Sequence, residues 1–339
     1  MKTITRKYSM ATALGALTLA SMLAGCGGGG NGGALTNSLS TGIVAVNGNA
    51  TQGQTLTASN TLADADGLGT FSYQWQENGV AIAGATGRTL VLGEAQVGKA
   101  LSVIITYTDG AGNRESATSS VTSKVAFSTS NLQGIWGTGT VGGVPASMVV
   151  LASGASWLLV NNSPVSTIIT TLSGTDSGYV GAGTQYTSGA AAAPAAVAFS
   201  AKVTPKSALS GTITSGSVAK AFSFTYESRY EQAASLTDIA HTWHGTKNTS
   251  TIEFTWTVAL DGALTGTSTA GCSYAGSNVK VHADGLVSVG VFDLALKETC
   301  SDVVKNFAGI ATLSADKSVV VFAFSTAAGT EGDFLRMTK

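Results

Sequence analysis

The sequence predicts an all-β chain: two strand-rich modules carried behind an exported, tethered N-terminus. Three observations carry this prediction. Thr, Val, Ser and Gly dominate, and apolar residues alternate with polar ones, the period of a half-buried strand. Asn-Gly and Asp-Gly pairs recur at Asn47-Gly48, Asp66-Gly67, Asn78-Gly79, Asp109-Gly110, Asp261-Gly262 and Asp284-Gly285. These dipeptides take the positive φ angles that tight hairpins require. A glycine run, Gly27 to Gly33, separates the N-terminal segment from the first alternating stretch.

Composition removes several function classes. Among 339 residues, 18 Lys+Arg stand against 19 Asp+Glu, for a net charge of −1. So balanced and sparse a charge gives no electrostatic footprint for nucleic acid. An apolar share of 44% argues against disorder over most of the chain. Four prolines and no Gly-X-Y period exclude collagen.

The first 25 residues read as an export signal. Lys2, Arg6 and Lys7 form a basic n-region, and an uncharged Ala- and Leu-rich run follows from Tyr8 to Gly25. The run is studded with small residues and is followed by glycine, not by the basic cluster that stops transfer of a spanning helix. It ends in Leu23-Ala24-Gly25-Cys26, which resembles a bacterial lipobox. The resemblance implies cleavage before Cys26 and acylation of that residue, hence a membrane partner through a lipid anchor. Several acyl chains hold durably where one does not. Position 27 is Gly, where an Asp would resemble an inner-membrane retention signal, so the resemblance implies the outer membrane. Residues 26–41 then form a flexible tether, the stretch from Gly27 to Ser40 spanning on the order of 20 Å. Loss of Lys2, Arg6 and Lys7 leaves 15 basic and 19 acidic residues, a net charge of −4.

Three cysteines are an odd number for an exported protein. With Cys26 lipidated, Cys272 and Cys300 are left to pair as a staple between strands in an oxidising compartment. Closure of their loop contributes roughly 3–4 kcal/mol in the chain-entropy picture.

Residues 42–125 form the first module. Candidate strands are Gly42–Val46, Gln54–Ala58, Phe71–Gln76, Val80–Ile82, Thr89–Leu92, Ala100–Tyr107 and Glu115–Val121. Seven short strands in about 85 residues is the size of an immunoglobulin-like sandwich. Phe71, Tyr73 and Trp75 share one face, with Trp75 as core anchor. Leu101, Val103, Ile105 and Tyr107 form another inward face. The stretch Ala50-Thr51-Gln52-Gly53-Gln54-Thr55-Leu56-Thr57-Ala58 resembles the start of a bacterial Ig-like repeat of large surface adhesins. Tyr73-Gln74-Trp75-Gln76-Glu77-Asn78-Gly79, Ile82-Ala83-Gly84-Ala85-Thr86, Val97-Gly98-Lys99-Ala100-Leu101-Ser102-Val103 and Tyr107-Thr108-Asp109-Gly110 continue the resemblance in order. It implies a spacer or adhesive unit without catalysis. Asp64-Ala65-Asp66-Gly67 resembles the opening of a calcium loop, but the later ligands are missing; it is read as a turn, and no metal is assigned.

Residues 130–339 form the second module, which carries an internal duplication. Leu132-Gln133-Gly134-Ile135-Trp136-Gly137-Thr138 echoes Ile239-Ala240-His241-Thr242-Trp243-His244-Gly245-Thr246, and Gly154 and Gly262 follow at matching distances. Each half opens with a Trp strand, then a second strand and a tight hairpin. Closing two half-sheets on each other removes exposed edges, so the expectation is one antiparallel barrel or barrel-like sandwich of roughly ten strands. Gly134-Ile135-Trp136 together with Arg336 is similar to the lipocalin pattern, which implies that the arginine covers the tryptophan.

Catalytic chemistry is hard to place. His241 and His244 flank Trp243 and point to opposite faces of a strand, so they cannot share a metal. Asp176-Ser177-Gly178 lacks the second carboxylate that aspartic-protease chemistry needs and is read as a turn. Trp136, Trp157, Trp243 and Trp256 line either a core or a ligand pocket. The sequence therefore predicts a non-enzymatic lipoprotein of the outer membrane, with no cofactor. Its β modules are presented to an unknown protein or glycan partner, for adhesion or protein binding. The alternative is a lipocalin-like carrier with a small hydrophobic ligand in the C-terminal barrel.

Overall fold

The computed structural model describes residues 37–161, 166–187, 193–247, 251–276, 279–284 and 287–339. Cys26, the export signal and most of the tether lie outside them.

The first module is a seven-stranded sandwich. β1 (Val44–Asn47), β2 (Thr55–Asn60) and β5 (Thr89–Val91) form one sheet, in the order β1-β2-β5. β4 (Val80–Ala81), β3 (Ser72–Glu77), β6 (Leu101–Thr108) and β7 (Arg114–Thr118) form the other. Trp75 is fully buried between them and donates its Nε1–H to the Gly87 carbonyl at 2.9 Å. Leu101, Val103, Ile105 and Tyr107 all face this core. No cysteine crosses the sandwich, so apolar burial holds the two sheets together.

Beyond it the chain closes twice. β8 (Gly134–Val141), β9 (Val144–Val150), β10 (Ala155–Val160), β11 (Ser166–Gly174), β12 (Tyr179–Thr187), β13 (Ala195–Thr204), β14 (Ala208–Ser215) and β15 (Val218–Glu227) make a closed up-and-down barrel, β15 pairing with β8. The second sheet contains β16 (Thr242–Thr246), β17 (Glu253–Val258), β18 (Leu264–Ser268), β19 (Ser273–Gly276), β20 (Lys280–Asp284), β21 (Val287–Cys300), β22 (Val303–Leu313), β23 (Val319–Thr326) and β24 (Gly332–Thr338). β16 pairs with β24, and β19 pairs with β21, which completes the ring. β19 and β20 lie in succession along the long β21 and together occupy one position in it.

The all-β, barrel-like architecture of two similar halves is therefore present. Each half closes on itself where one joint barrel of roughly ten strands was expected. The duplication extends to hydrogen bonds. Trp136 Nε1 donates to the Leu132 carbonyl and Trp243 Nε1 to the Ile239 carbonyl, both at 2.9 Å, each from beneath a short helical turn. Leu132, Trp136, Ile239 and Trp243 have no exposed surface, so each pair plugs one end of its barrel. Gly154 and Gly262 both take positive φ, and an added Cβ would stand 2.0 Å from the Leu172 carbonyl oxygen and 2.2 Å from that of Val279. Only glycine fits either close approach.

The barrels pack side by side through outward-facing residues. Ile135, Leu151, Trp157 and Leu159 of the first meet Val289, Val291, Ile310 and Phe334 of the second. The segment 124–127 joins the sandwich to the first barrel: Phe127 N donates to the Thr175 carbonyl at 2.9 Å, and Lys124 pairs with Asp176 at 3.1 Å. Among the described residues no helix is long and apolar enough to cross a membrane.

Candidate functional site: the open end of the second barrel

Opposite its tryptophan plug, the second barrel opens into a cavity of about 410 Å³. Strand alternation builds it. Along β17 every second residue, Phe254, Trp256 and Val258, faces inward. Cross-strand register then places Ser268 opposite Phe254, Glu298 opposite Tyr274, and Asp333 opposite Phe324. The floor is aromatic. Trp256 stacks at 5.1 Å on both Tyr274 and Phe322, and Phe307 meets Phe324 edge-on at 5.3 Å.

The rim is charged and largely paired. Lys305 binds Glu331 at 2.7 Å, and Lys247 pairs with Asp333. The Cys272–Cys300 disulfide forms as expected and sits on this rim, tying the entry of β19 to the end of β21. Tyr186 of the first barrel reaches the same mouth and donates its hydroxyl to the Gly329 carbonyl at 2.9 Å. Burial pushes the Tyr274 phenol up to about 12, with the Glu298 charge adding to it, so at neutral pH it stays protonated and can donate a hydrogen bond. Trp256 Nε1 is buried without a partner among the described residues, and Ser268 stands beside the Tyr274 phenol. Unpaired buried donors of this kind are uncommon in folded proteins. The arrangement can hold a flat or amphipathic molecule against the aromatic floor.

The tryptophans singled out from sequence divide. Trp136, Trp243 and Trp256 are interior. Trp157 stands on the outer wall between the barrels and lines only a gap of about 60 Å³ there. Arg336 does not cover Trp136. It is exposed on β24 of the second barrel, while Trp136 belongs to the first, where the Tyr226 ring meets it at 5.3 Å. Separate closure of the two halves is the physical reason. His241 and His244 are both exposed. His282 instead lies between Asp293 at 2.6 Å and Asp284 at 3.1 Å, and Asp284 accepts from Ala152 N of the first barrel at 3.3 Å, clamping the two bodies.

A second group was not foreseen. Asp64, Asp109 and Glu115 converge at one end of the sandwich, with ligand oxygens within 4.8 Å of one another. Tyr107 Oη stands 2.7 Å from both the Asp64 and Glu115 carboxylates. Glu115 also accepts from Asn37 Nδ2 at 3.1 Å and from Ser40 N at 3.0 Å, which docks the end of the tether. Donation from Tyr107 holds the Glu115 carboxyl below the usual range. A hard cation suits such a donor set. Each of these carboxylates already accepts a hydrogen bond, and the grouping serves the tether contact as it stands.

Comparison with known proteins finds no matching family model, no matching curated protein and no matching solved structure.

Proposed function

We propose that this chain is a lipid-anchored envelope binding protein. Its sandwich is a spacer, and its second barrel holds a small amphipathic molecule. One observation carries the reading: an aromatic cavity of about 410 Å³ whose wall contains a buried indole N–H, that of Trp256, with no acceptor among the described residues. That volume falls within the range of small-molecule sites, which are mostly apolar with a few placed polar groups. The Cys26 motif and the glycine tether support attachment to the outer membrane, and the resemblance of the residue 42–125 motifs to adhesin repeats supports the spacer role. Native mass spectrometry of protein purified from its source is the test. A retained small-molecule adduct is expected, and Ser268→Trp, which fills the cavity, removes it. Empty protein in every preparation overturns the reading.

Presentation of the β modules for adhesion or protein contact is the second reading. The sandwich favours it, since it stands between the tether and both barrels. Saturable binding of the purified protein to cells or envelope extracts supports it, and absence of such binding removes it.

A further inference from the structure

The first barrel opens at the end equivalent to the candidate site, yet its lining differs in kind. Its cavity, of about 280 Å³, has aliphatic walls, including Val141, Val160, Ile168 and Ile213. No acid lines it. Two polar side chains stand at inward register positions near the mouth: Gln185 opposite Ile168 and Lys220 opposite Ile213. Lys220 forms no ion pair among the described residues, whereas the lysines at the other mouth are paired with Glu331 and Asp333. At the mouth end of β11, opposite Thr187, Ser166 belongs to the lining and is 1% exposed, and its Oγ has no partner among the described residues. A buried hydroxyl left unsatisfied is costly, and a bound polar atom removes that cost.

We infer that the open end of the first barrel is a second ligand site, for a small aliphatic monocarboxylate. The alkyl chain lies among the valines and isoleucines, and the carboxylate meets Lys220 and the Gln185 amide at the mouth. One ammonium, unpaired and without a neighbouring acid among the described residues, selects one negative charge. Aliphatic walls select a saturated chain over the flat group that the aromatic floor of the second barrel favours. The two copies have thus diverged in ligand class at equivalent positions. This inference does not rest on what occupies the second barrel.

The test uses the full chain carrying Cys26→Ser, purified without detergent, and calorimetric titration with decanoate, decanol and decylammonium. One decanoate binds per chain, and decanol and decylammonium bind at least about tenfold more weakly, the size expected of a lost charge-assisted hydrogen bond. Lys220→Glu weakens decanoate by about tenfold or more, and Lys305→Glu, at the other mouth, changes it by less than about twofold. Ile213→Trp fills the cavity and abolishes binding; Lys220 is exposed, so its variant carries the test should the tryptophan disturb folding. Absence of decanoate binding overturns the inference. So does binding unaffected by Lys220→Glu, or binding weakened by Lys305→Glu alone. An adduct in the second barrel with no decanoate in the first leaves the proposed function standing and this inference refuted.

Discussion

Trp136 and Trp243 show how much a single residue fixes in this fold. Each ring fills one barrel end and each indole N–H is spent on a carbonyl four residues back. Replacing either by Phe keeps most of the apolar volume and leaves that carbonyl unpaired, so each variant loses about 1–2 kcal/mol in urea denaturation. Closely similar losses at the two positions are the expected signature of the duplication. Glu115 gives a pH prediction. Its carboxyl is held low by Tyr107, Ser40 and Asn37, so the contact with the tether is complete above the ordinary carboxylate range. It is lost as pH falls through the depressed value. The Ser40 amide resonance therefore moves only below the ordinary carboxylate range, and Glu115→Gln flattens the transition. A midpoint at or above the ordinary value contradicts the assignment. The tryptophans were legible because a large apolar residue in an alternating strand is self-announcing. The carboxylate group was not, because Asp64 comes from one loop and Asp109 and Glu115 from the distant β6–β7 hairpin, and two of them read locally as turn residues.

At the scale of elements, the disulfide makes the clearest prediction. It joins neighbouring strands at the mouth of the second barrel only. Reduction, or Cys272→Ala with Cys300→Ala, lowers the stability of that barrel by roughly 3 kcal/mol and leaves the first barrel's own transition in place. Tryptophan fluorescence during denaturation, with and without reductant, reads the difference. Equal loss in both barrels argues against independent closure. Six of the sandwich strands were legible to within a residue or two because each is short and alternating; the seventh ends at Thr118, three residues before the expected Val121. The closure of the barrels was not. Alternation says which face of a strand is buried, but the partner of an edge strand is non-local: β8 finds β15, more than seventy residues on. The exchange of β19 for β20 along β21 is equally invisible, since both read as ordinary short strands.

For the whole molecule, the seam between the barrels decides cooperativity. Val291 is completely buried there. Val291→Asp places an unpaired carboxylate against Ile135, Leu151 and the Trp157 ring, at a cost of about 3 kcal/mol or more. Calorimetry then shows the transitions of the two barrels moving further apart than in the parent chain; an unchanged profile means that the seam carries little. No periodicity marks this seam, because outward positions on β8–β10 and β21–β24 look like any other exterior residue until a neighbour covers them. The same ring closure has an evolutionary consequence. First and last staves of each cask are adjacent, so the polypeptide arrives and departs through neighbouring doors. A third copy spliced between Gln232 and Ser235 would add a bead without rethreading the others, and each bead would bring a fresh interior free to acquire its own chemistry.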